Sequence, residues 1–328
     1  MRQNDKNSIS IIIPCYNAEQ YLIKTLESAK AQRSDNFEII AIDDGSTDDT
    51  LSILREWKNK NGDVDITIIE KINEGVSIAR NTGLRIARGE YCLFLDADDL
   101  LPESYVRAMD EFLDEDPDVV TIGRVRMIER LHPMIHPNGE EANPAIIMKR
   151  YTYVKRNMGL TSFLFKTKLL RTHGLLFTEG CRYGEDWEFV TKYLVHCKSA
   201  IAVDGAYFYR VYPESVSGKA TYAQTDAIYA AERTEKYLED HKHSFAKRYK
   251  EYTYHRTVFS VAHRFAKVQR KDLYKRLIKE FPVKDAMRFI RKDKTTRKRE
   301  KLAAAAYLIN PWLFFYGMKL EEKVEGKK

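Results

Sequence analysis

The stretch "SISIIIPCYNAEQYLIKTLESAKAQ", residues 8–32, opens with an apolar, β-branched run closed by Pro14. It continues with Tyr21, Leu22, Thr25, Leu26 and Ala29 at helical spacing. Alternation by two and then by 3.6 reads as a buried strand feeding an amphipathic helix. The unit recurs directly. "FEIIAID" (37–43) precedes "STDDTLSILREWKNK" (46–60), "VDITIIE" (64–70) precedes "EGVSIARNTGLRIAR" (74–88), and "EYCLFLD" (90–96) supplies a fourth strand. Ser46 or Thr47 is the expected N-cap of the second helix. Strands alternating with helices over short links predict an α/β fold, with a mostly parallel, Rossmann-like sheet and helices on both faces.

Ligands of such sheets lie beyond the carboxyl ends of the strands. The four predicted strands end there in "PCYN", "DDGSTDD", "KINEG" and "DADD". Polar and acidic residues thus converge on one edge. The fourth is the most demanding, because Asp96, Asp98 and Asp99 follow an apolar run with only Ala97 between them. A helix cap at Asp99 accounts for one acid. Three close carboxylates repel one another unless a positive partner is present. No GxGxxG follows the first strand and no GxxxxGK[ST] occurs, so neither glycine-rich phosphate cradle is available. A divalent cation, Mg²⁺ or Mn²⁺, held by one or two carboxylates and shared with a diphosphate fits this chemistry.

With 328 residues, 44 % of them hydrophobic and 31 % charged, the chain has the composition of a globular protein with an ample core. The net charge of +7 conceals an asymmetry: residues 242–301 carry 21 Lys and Arg against six acids, which leaves residues 1–241 net acidic. Such a basic segment suits an anionic partner. Cys15, Cys92, Cys181 and Cys197 show no metal-ligand spacing and are expected as reduced thiols. The polar start "MRQNDKNS" lacks a signal-peptide pattern, so a cytoplasmic location is expected.

Together "SIIIPCYNAEQYLIKTLESAKAQ", "FEIIAIDDGSTDDT", "NEGVSIARNTGL", "GEYCLFLDADD" and "GEDWEF" resemble family 2 glycosyltransferases in order and spacing, over about residues 8–220. Among these, the chain is similar to bacterial enzymes acting on cell-surface polysaccharides and wall teichoic acid. The resemblance implies a GT-A fold and inverting transfer of a sugar from a nucleotide sugar, UDP-linked by expectation, to a hydroxyl of a glycan, lipid-linked saccharide or teichoic-acid-like polymer. It implies that Pro14 and Tyr16 line the base pocket, with Asp44 accepting from the base. Asn73 and Arg80 would contact nucleotide and phosphate; Arg80 could equally be a buried arginine paired with Asp44 or Asp96. Asp98 is the expected metal ligand, with Asp96 on the ribose or a metal-bound water. Asp186 matches the catalytic base and Glu185 its neighbour, at the start of a helix whose apolar face is Trp187, Phe189, Val190, Tyr193 and Leu194. Arg210, Ser215 and Ser217 match a loop that closes over the diphosphate, although Glu214 stands where many relatives carry a histidine.

The expected division is a catalytic domain over 1–222 and a basic helical region over 223–328 serving membrane association, acceptor binding or homo-oligomer contact. "LAAAAYLINPWLFFYGMKL" (302–320) has the length of a membrane span but is interrupted by Asn310-Pro311. Three readings apply: a span, packing on the catalytic domain or a sister subunit, or a shallow interfacial anchor led by "WLFFY" on the inner face of a cell membrane. No nucleic-acid module is recognisable. The competing functions are a sugar nucleotidyltransferase, which should show a glycine-rich phosphate loop, and a non-catalytic nucleotide-sugar-binding protein, which need not keep Asp96, Asp98 and Asp186.

Overall fold

The computed structural model describes residues 9–32, 37–103, 105–127, 139–153, 158–209 and 220–325. The chain separates into two compact units, Met1–Gly180 with Glu185–Val211, and Cys181–Gly184 with Tyr212–Lys328. The changeover at 211/212 lies eleven residues before the 222/223 division expected from sequence.

The first unit begins with the expected repetition: β1 (Ile9–Cys15), α1 (Leu22–Lys30), β2 (Phe37–Asp44), α2 (Thr50–Lys60), β3 (Ile66–Lys71), α3 (Val76–Ile86) and β4 (Tyr91–Phe94). It continues through α4 (Tyr105–Asp110), β5 (Val119–Met127), β6 (Gly139–Ala142), α5 (Pro144–Tyr153), β7 (Phe163–Lys166), α6 (Thr167–Thr172), α7 (Glu185–Leu194) and β8 (Ala200–Tyr209). Among the described residues eight strands form one sheet in the order β3-β2-β1-β4-β7-β5-β8-β6. The four leading strands are parallel, with Ile11 opposite Ile39 and Leu93, and β5 runs parallel to β8. β7 and β6 pair antiparallel with their neighbours.

Alternation along β1 decides which helix covers which face. Ile9, Ile11, Ile13 and Cys15 share a buried cluster with Leu22 and Leu26 of α1 and with Leu54 and Trp57 of α2. The opposite face meets α3 at Gly83, where a Cβ would stand 2.5 Å from Ile12 Cγ2 and 2.9 Å from Ile42 Cδ1. Only glycine allows this helix to lie so close to the sheet. Burial pushes the Cys15 thiol far up, with Asp43 adding to the effect, and Cys92 up to about 12; all four cysteines are free thiols.

Two expected helix caps fall elsewhere. α2 starts at Thr50, and the carboxylate meeting its first turn is Asp48, which accepts from Thr50 N at 3.0 Å, rather than Ser46 or Thr47. Asp99 does not cap a helix: it sits in a turn where its N–H donates to Asp96 O at 3.0 Å, and α4 begins only at Tyr105.

The second unit is helical: α8 (Asp226–Asp240), α9 (Ala246–Tyr249), a π turn over Lys250–Tyr254, α10 (His255–Lys267), α11 (Lys271–Glu280), α12 (Val283–Lys292), α13 (Lys298–Ile309) and α14 (Pro311–Glu325). Its core joins Val258, Phe265, Tyr274, Met287, Tyr307 and Phe314. Asn310-Pro311 breaks 302–320 into two helices, each buried along one side within this unit. Among the described residues no helix is long and apolar enough to cross a membrane. Of "WLFFY", Phe314 and Phe315 are core residues, whereas Leu313 and Tyr316 are more than half exposed.

Candidate active site

β1 lies between β2 and β4, so the chain moves outward through β2 and β3 and then returns to the other side of β1. This reversal creates a crevice at the carboxyl ends of β1 and β4, where open α/β sheets bind ligands. Residues following all four parallel strands reach that edge.

The loops after β1, β2 and β3 are tied together. Asn17 N donates to Ser46 Oγ at 3.1 Å, and Asn17 Oδ1 accepts from Thr47 N at 2.9 Å. Asp44 is buried and accepts from Lys71 Nζ at 2.7 Å, Glu74 N at 3.1 Å and Gly75 N at 2.8 Å. It therefore pairs with Lys71 rather than Arg80, and its carboxylate steadies the entry to α3. Lys71 in turn is held protonated by Asp44 and Glu74, against the opposing effect of its own burial. Asp43 takes the turn N–H of Ser46 at 3.4 Å, while its buried Oδ1 has no hydrogen-bond partner among the described residues. Tyr16 is half exposed, Pro14 half-buried and Asn73 exposed, all on this edge. Ile72, unremarked in the sequence, is 77 % exposed beside Asn73 and offers an apolar surface there.

Gly45 holds the second loop against the third. Its φ is +72°, and a Cβ would lie 2.6 Å from Asn73 N. Gly45→Ala is expected to displace the loop carrying Asn73, cost about 1–3 kcal/mol in backbone strain, and, on the expectation from sequence that this edge takes a nucleotide, weaken UDP binding in calorimetry. Gly62→Ala, with nothing within 4 Å of the added carbon, is the matched control. Equal UDP affinity in both variants would remove this edge from the nucleotide site.

The acidic turn after β4 is fixed by polar side chains of α1 and by Gln32, two residues past its end. Thr25 Oγ1 lies 2.8 Å from Ala97 O and 2.9 Å from Asp99 O. Gln32 donates to Pro102 O at 2.9 Å and accepts from Val106 N at 2.8 Å, and Ser28 Oγ accepts from Leu101 N at 3.2 Å. These contacts satisfy buried backbone groups that would otherwise cost about 1–3 kcal/mol each. Thr25 and Gln32 are positioning residues that the sequence reading passed over as part of a helical face.

Arg80 joins the two halves of the site. Its side chain is 3 % exposed. Nη2 donates to Asp96 Oδ1 at 2.8 Å; Nη1 donates to Asp186 Oδ1 at 2.8 Å and to Glu185 Oε1 at 3.3 Å. Its guanidinium carbon lies 5.2 Å from the centre of the Phe177 ring. Of the two pairings left open by the sequence, that with Asp96 rather than Asp44 is present, and the two acids opening α7 complete it. The next residue, Asn81, pins the segment leading to α7: Nδ2 donates to Phe177 O at 2.9 Å, and Oδ1 accepts from Phe177 N at 2.8 Å. Phe177 then stacks on Phe189 of α7 at 3.9 Å. Phe189, Val190, Tyr193 and Leu194 are buried as expected, whereas Trp187 is only half-buried.

Three carboxylates around one guanidinium leave an excess of negative charge. Asp186 keeps 34 % of its side-chain surface open. Loss of hydration raises its proton affinity, Arg80 lowers it, and Glu185 and Asp96 raise it again; the balance lies well above the usual carboxylate range. The guanidinium stays charged throughout. Among the described residues no group of three or more His, Cys, Asp or Glu side chains is arranged to hold a metal ion. The donor set at Asp96 and Asp98 is therefore not a closed protein cage. An all-oxygen pair with surplus negative charge does fit a hard divalent cation that takes its remaining ligands from phosphate and water. Arg210, Ser215, Ser217 and Glu214 lie outside the described residues, and Arg124 and Arg126 stand in β5 opposite Ala206 and Phe208.

A doubly wound sheet with acids gathered at its switch point, and with a helix-opening acid pair bridged to them, defines a GT-A glycosyltransferase fold. Residues 10–173 match the family described as Glycosyl transferase family 2, and the chain belongs to that family. It is 31 % identical over 227 residues to a poly(ribitol-phosphate) beta-glucosyltransferase of Bacillus spizizenii, covering 68 % of this chain and 35 % of that protein. It is 28 % identical over 228 residues to the Staphylococcus aureus poly(ribitol-phosphate) beta-N-acetylglucosaminyltransferase TarS, covering 68 % of this chain and 39 % of that one. The chain thus spans little more than a third of the length of these two relatives. The crystal structure of S. aureus TarS 1–349 in complex with UDP-GlcNAc superposes with a TM-score of 0.68 at 20 % identity, over 98 % of this chain and 92 % of that one. At that identity the likeness is one of fold.

Proposed function

We propose that the chain is an inverting glycosyltransferase that moves a sugar from a UDP-sugar to a hydroxyl of a polyol-phosphate or related cell-envelope polymer. The observation carrying this reading is the Arg80 bridge, which brings Asp96 of the acidic turn and Asp186 of α7 onto one guanidinium. The relatives named for poly(ribitol-phosphate) support the polymer class, and the TarS complex with UDP-GlcNAc supports the donor class.

The chemistry follows from the placement. Tyr16, Pro14 and Asn73 line the edge where the nucleoside binds, with Asp44 holding the loop into α3. Asp186 takes the proton from the acceptor hydroxyl as the hydroxyl oxygen attacks the anomeric carbon. Glu185 and Arg80 hold that carboxylate in place. Attack opposite the departing UDP in a single displacement inverts the sugar carbon. Mn²⁺ or Mg²⁺, held by Asp98 and Asp96, would supply positive charge for the departing diphosphate.

The test is transfer of radiolabelled sugar from UDP-glucose and UDP-GlcNAc to poly(ribitol phosphate), with free UDP counted. Release of UDP without labelled polymer would remove the acceptor class; binding without release would leave a nucleotide-sugar-binding protein. For the cation, UDP affinity should rise with Mn²⁺ or Mg²⁺, and Asp98→Asn should abolish the increase with the far-UV spectrum unchanged. An affinity indifferent to chelation would overturn the metal assignment.

A further inference from the structure

The helical unit carries an exposed apolar stripe beside a run of unneutralised cations. Leu302 and Ile309 of α13 are 72 % and 79 % exposed, and Leu313 and Tyr316 of α14 are more than half exposed. Lys298, Leu302 and Ile309 follow one another at intervals of four and seven, so they share one face of α13. Ile309 and Leu313 flank the Asn310-Pro311 corner. Their opposite sides are already spent: Ala303, Ala304, Tyr307, Phe314 and Phe315 are buried in the core of the unit.

The charge next to this stripe is one-sided. Residues 284–301 contain nine Lys and Arg and three acids. All three acids are engaged: Asp285 with Arg288 at 2.9 Å, Asp293 with Arg256 at 3.3 Å, and Glu300 with Arg256 at 3.1 Å. Among the described residues Lys292, Lys294, Arg297, Lys298 and Lys301 have no ion-pair partner.

We propose that the exposed face of α13 and the start of α14, with the cations leading into it, docks on the surface of an anionic lipid bilayer. Leu302, Ile309 and Leu313 enter the headgroup–acyl boundary, and Lys292 to Lys301 meet the lipid phosphates. Interfacial helices combine these two features, apolar side chains on one side and basic ones at the rim. The charge selects this occupant over two others. A second copy meeting the same face in a two-fold contact would set cation against cation. A soluble polyanion would satisfy the lysines but leave the aliphatic side chains in water. The inference goes beyond the transfer reaction and does not depend on it, since binding to vesicles requires no sugar donor.

The full chain is tested by co-sedimentation with vesicles of equimolar phosphatidylglycerol and phosphatidylcholine, against pure phosphatidylcholine. Binding to the anionic vesicles should be at least about tenfold tighter. It should weaken steeply between 0.1 M and 1 M salt as the screening length falls from about 10 Å to about 3 Å. L302Q/I309Q/L313Q changes only exposed positions, so its thermal midpoint should be unchanged and its vesicle affinity at least about tenfold lower. K292E/R297E/K298E should lose the preference for anionic lipid. Equal binding by the apolar triple variant, no preference for anionic lipid at low salt, or a wild-type dimer that the triple variant dissolves would each overturn the assignment.

Discussion

Asp186→Asn is expected to slow sugar transfer by on the order of 10²–10⁴-fold, the range supplied by a positioned general base, while UDP-sugar affinity stays near its wild-type value. Asparagine keeps the size of aspartate and can still accept from Arg80 Nη1, now at 2.8 Å from Oδ1. What it cannot do is take a proton. Donor binding is retained because Tyr16, Asn73 and the acidic turn lie at the ends of the parallel strands rather than on α7. Glu185→Gln should be milder, since Glu185 sits farther from the guanidinium at 3.3 Å. Rates and affinities measured on both variants separate the roles: near-normal turnover in Asp186→Asn would refute the base, and loss of donor binding alone would make Asp186 architectural. The pH profile carries the same information. The base works ionised, so turnover rises with pH, and burial beside Glu185 and Asp96 moves that rise above the usual carboxylate range.

Arg80→Gln should have the largest effect on stability. It removes the guanidinium that pairs with Asp186 and leaves three carboxylates facing a neutral amide. Breaking a buried ion pair from one side costs about 3–5 kcal/mol, so the thermal midpoint should fall by on the order of 10 °C. Because the guanidinium is the group that lowers the proton affinity of Asp186, the rise of activity with pH should also move further upward in this variant. Arg80→Lys keeps the charge but not the two-armed reach from Asp96 to Asp186, and should recover only part of either loss. A midpoint unchanged in Arg80→Gln would mean that the acids are neutralised in some other way.

The first ninety residues announced their structure because each element carries its own period. Ile9, Ile11 and Ile13 alternate, Leu22, Leu26 and Ala29 recur at helical spacing, and short turns separate them. The remainder of the sheet was harder to read. β7 is four residues long and is placed between β4 and β5 by partners distant in sequence. A short apolar run does not state its neighbours or its direction. The acids of the site were legible as a convergence of loop residues, but their hub was not. Arg80 also meets acids of α7, 106 positions away, and no local pattern in the sequence announces that contact. Thr25, Gln32 and Asn81 were missed for a related reason: a polar residue on a helix face looks ordinary until the backbone groups it satisfies are brought to it by the fold.

The same separation has a consequence for how the protein is made. Strands β1 to β4 and α3, with Arg80 and Asp96, leave the ribosome as one block. Asp186 follows Arg80 by 106 residues. At ordinary elongation rates that is a delay of roughly 5–20 s. Until those acids are made, Asp96 is the nearer partner in sequence that the guanidinium can take. A nascent chain can therefore hold the carboxyl edge of the four parallel strands well before it carries the acids that open α7. On the proposed function, transfer by a half-synthesised polypeptide would be withheld by the order of translation itself.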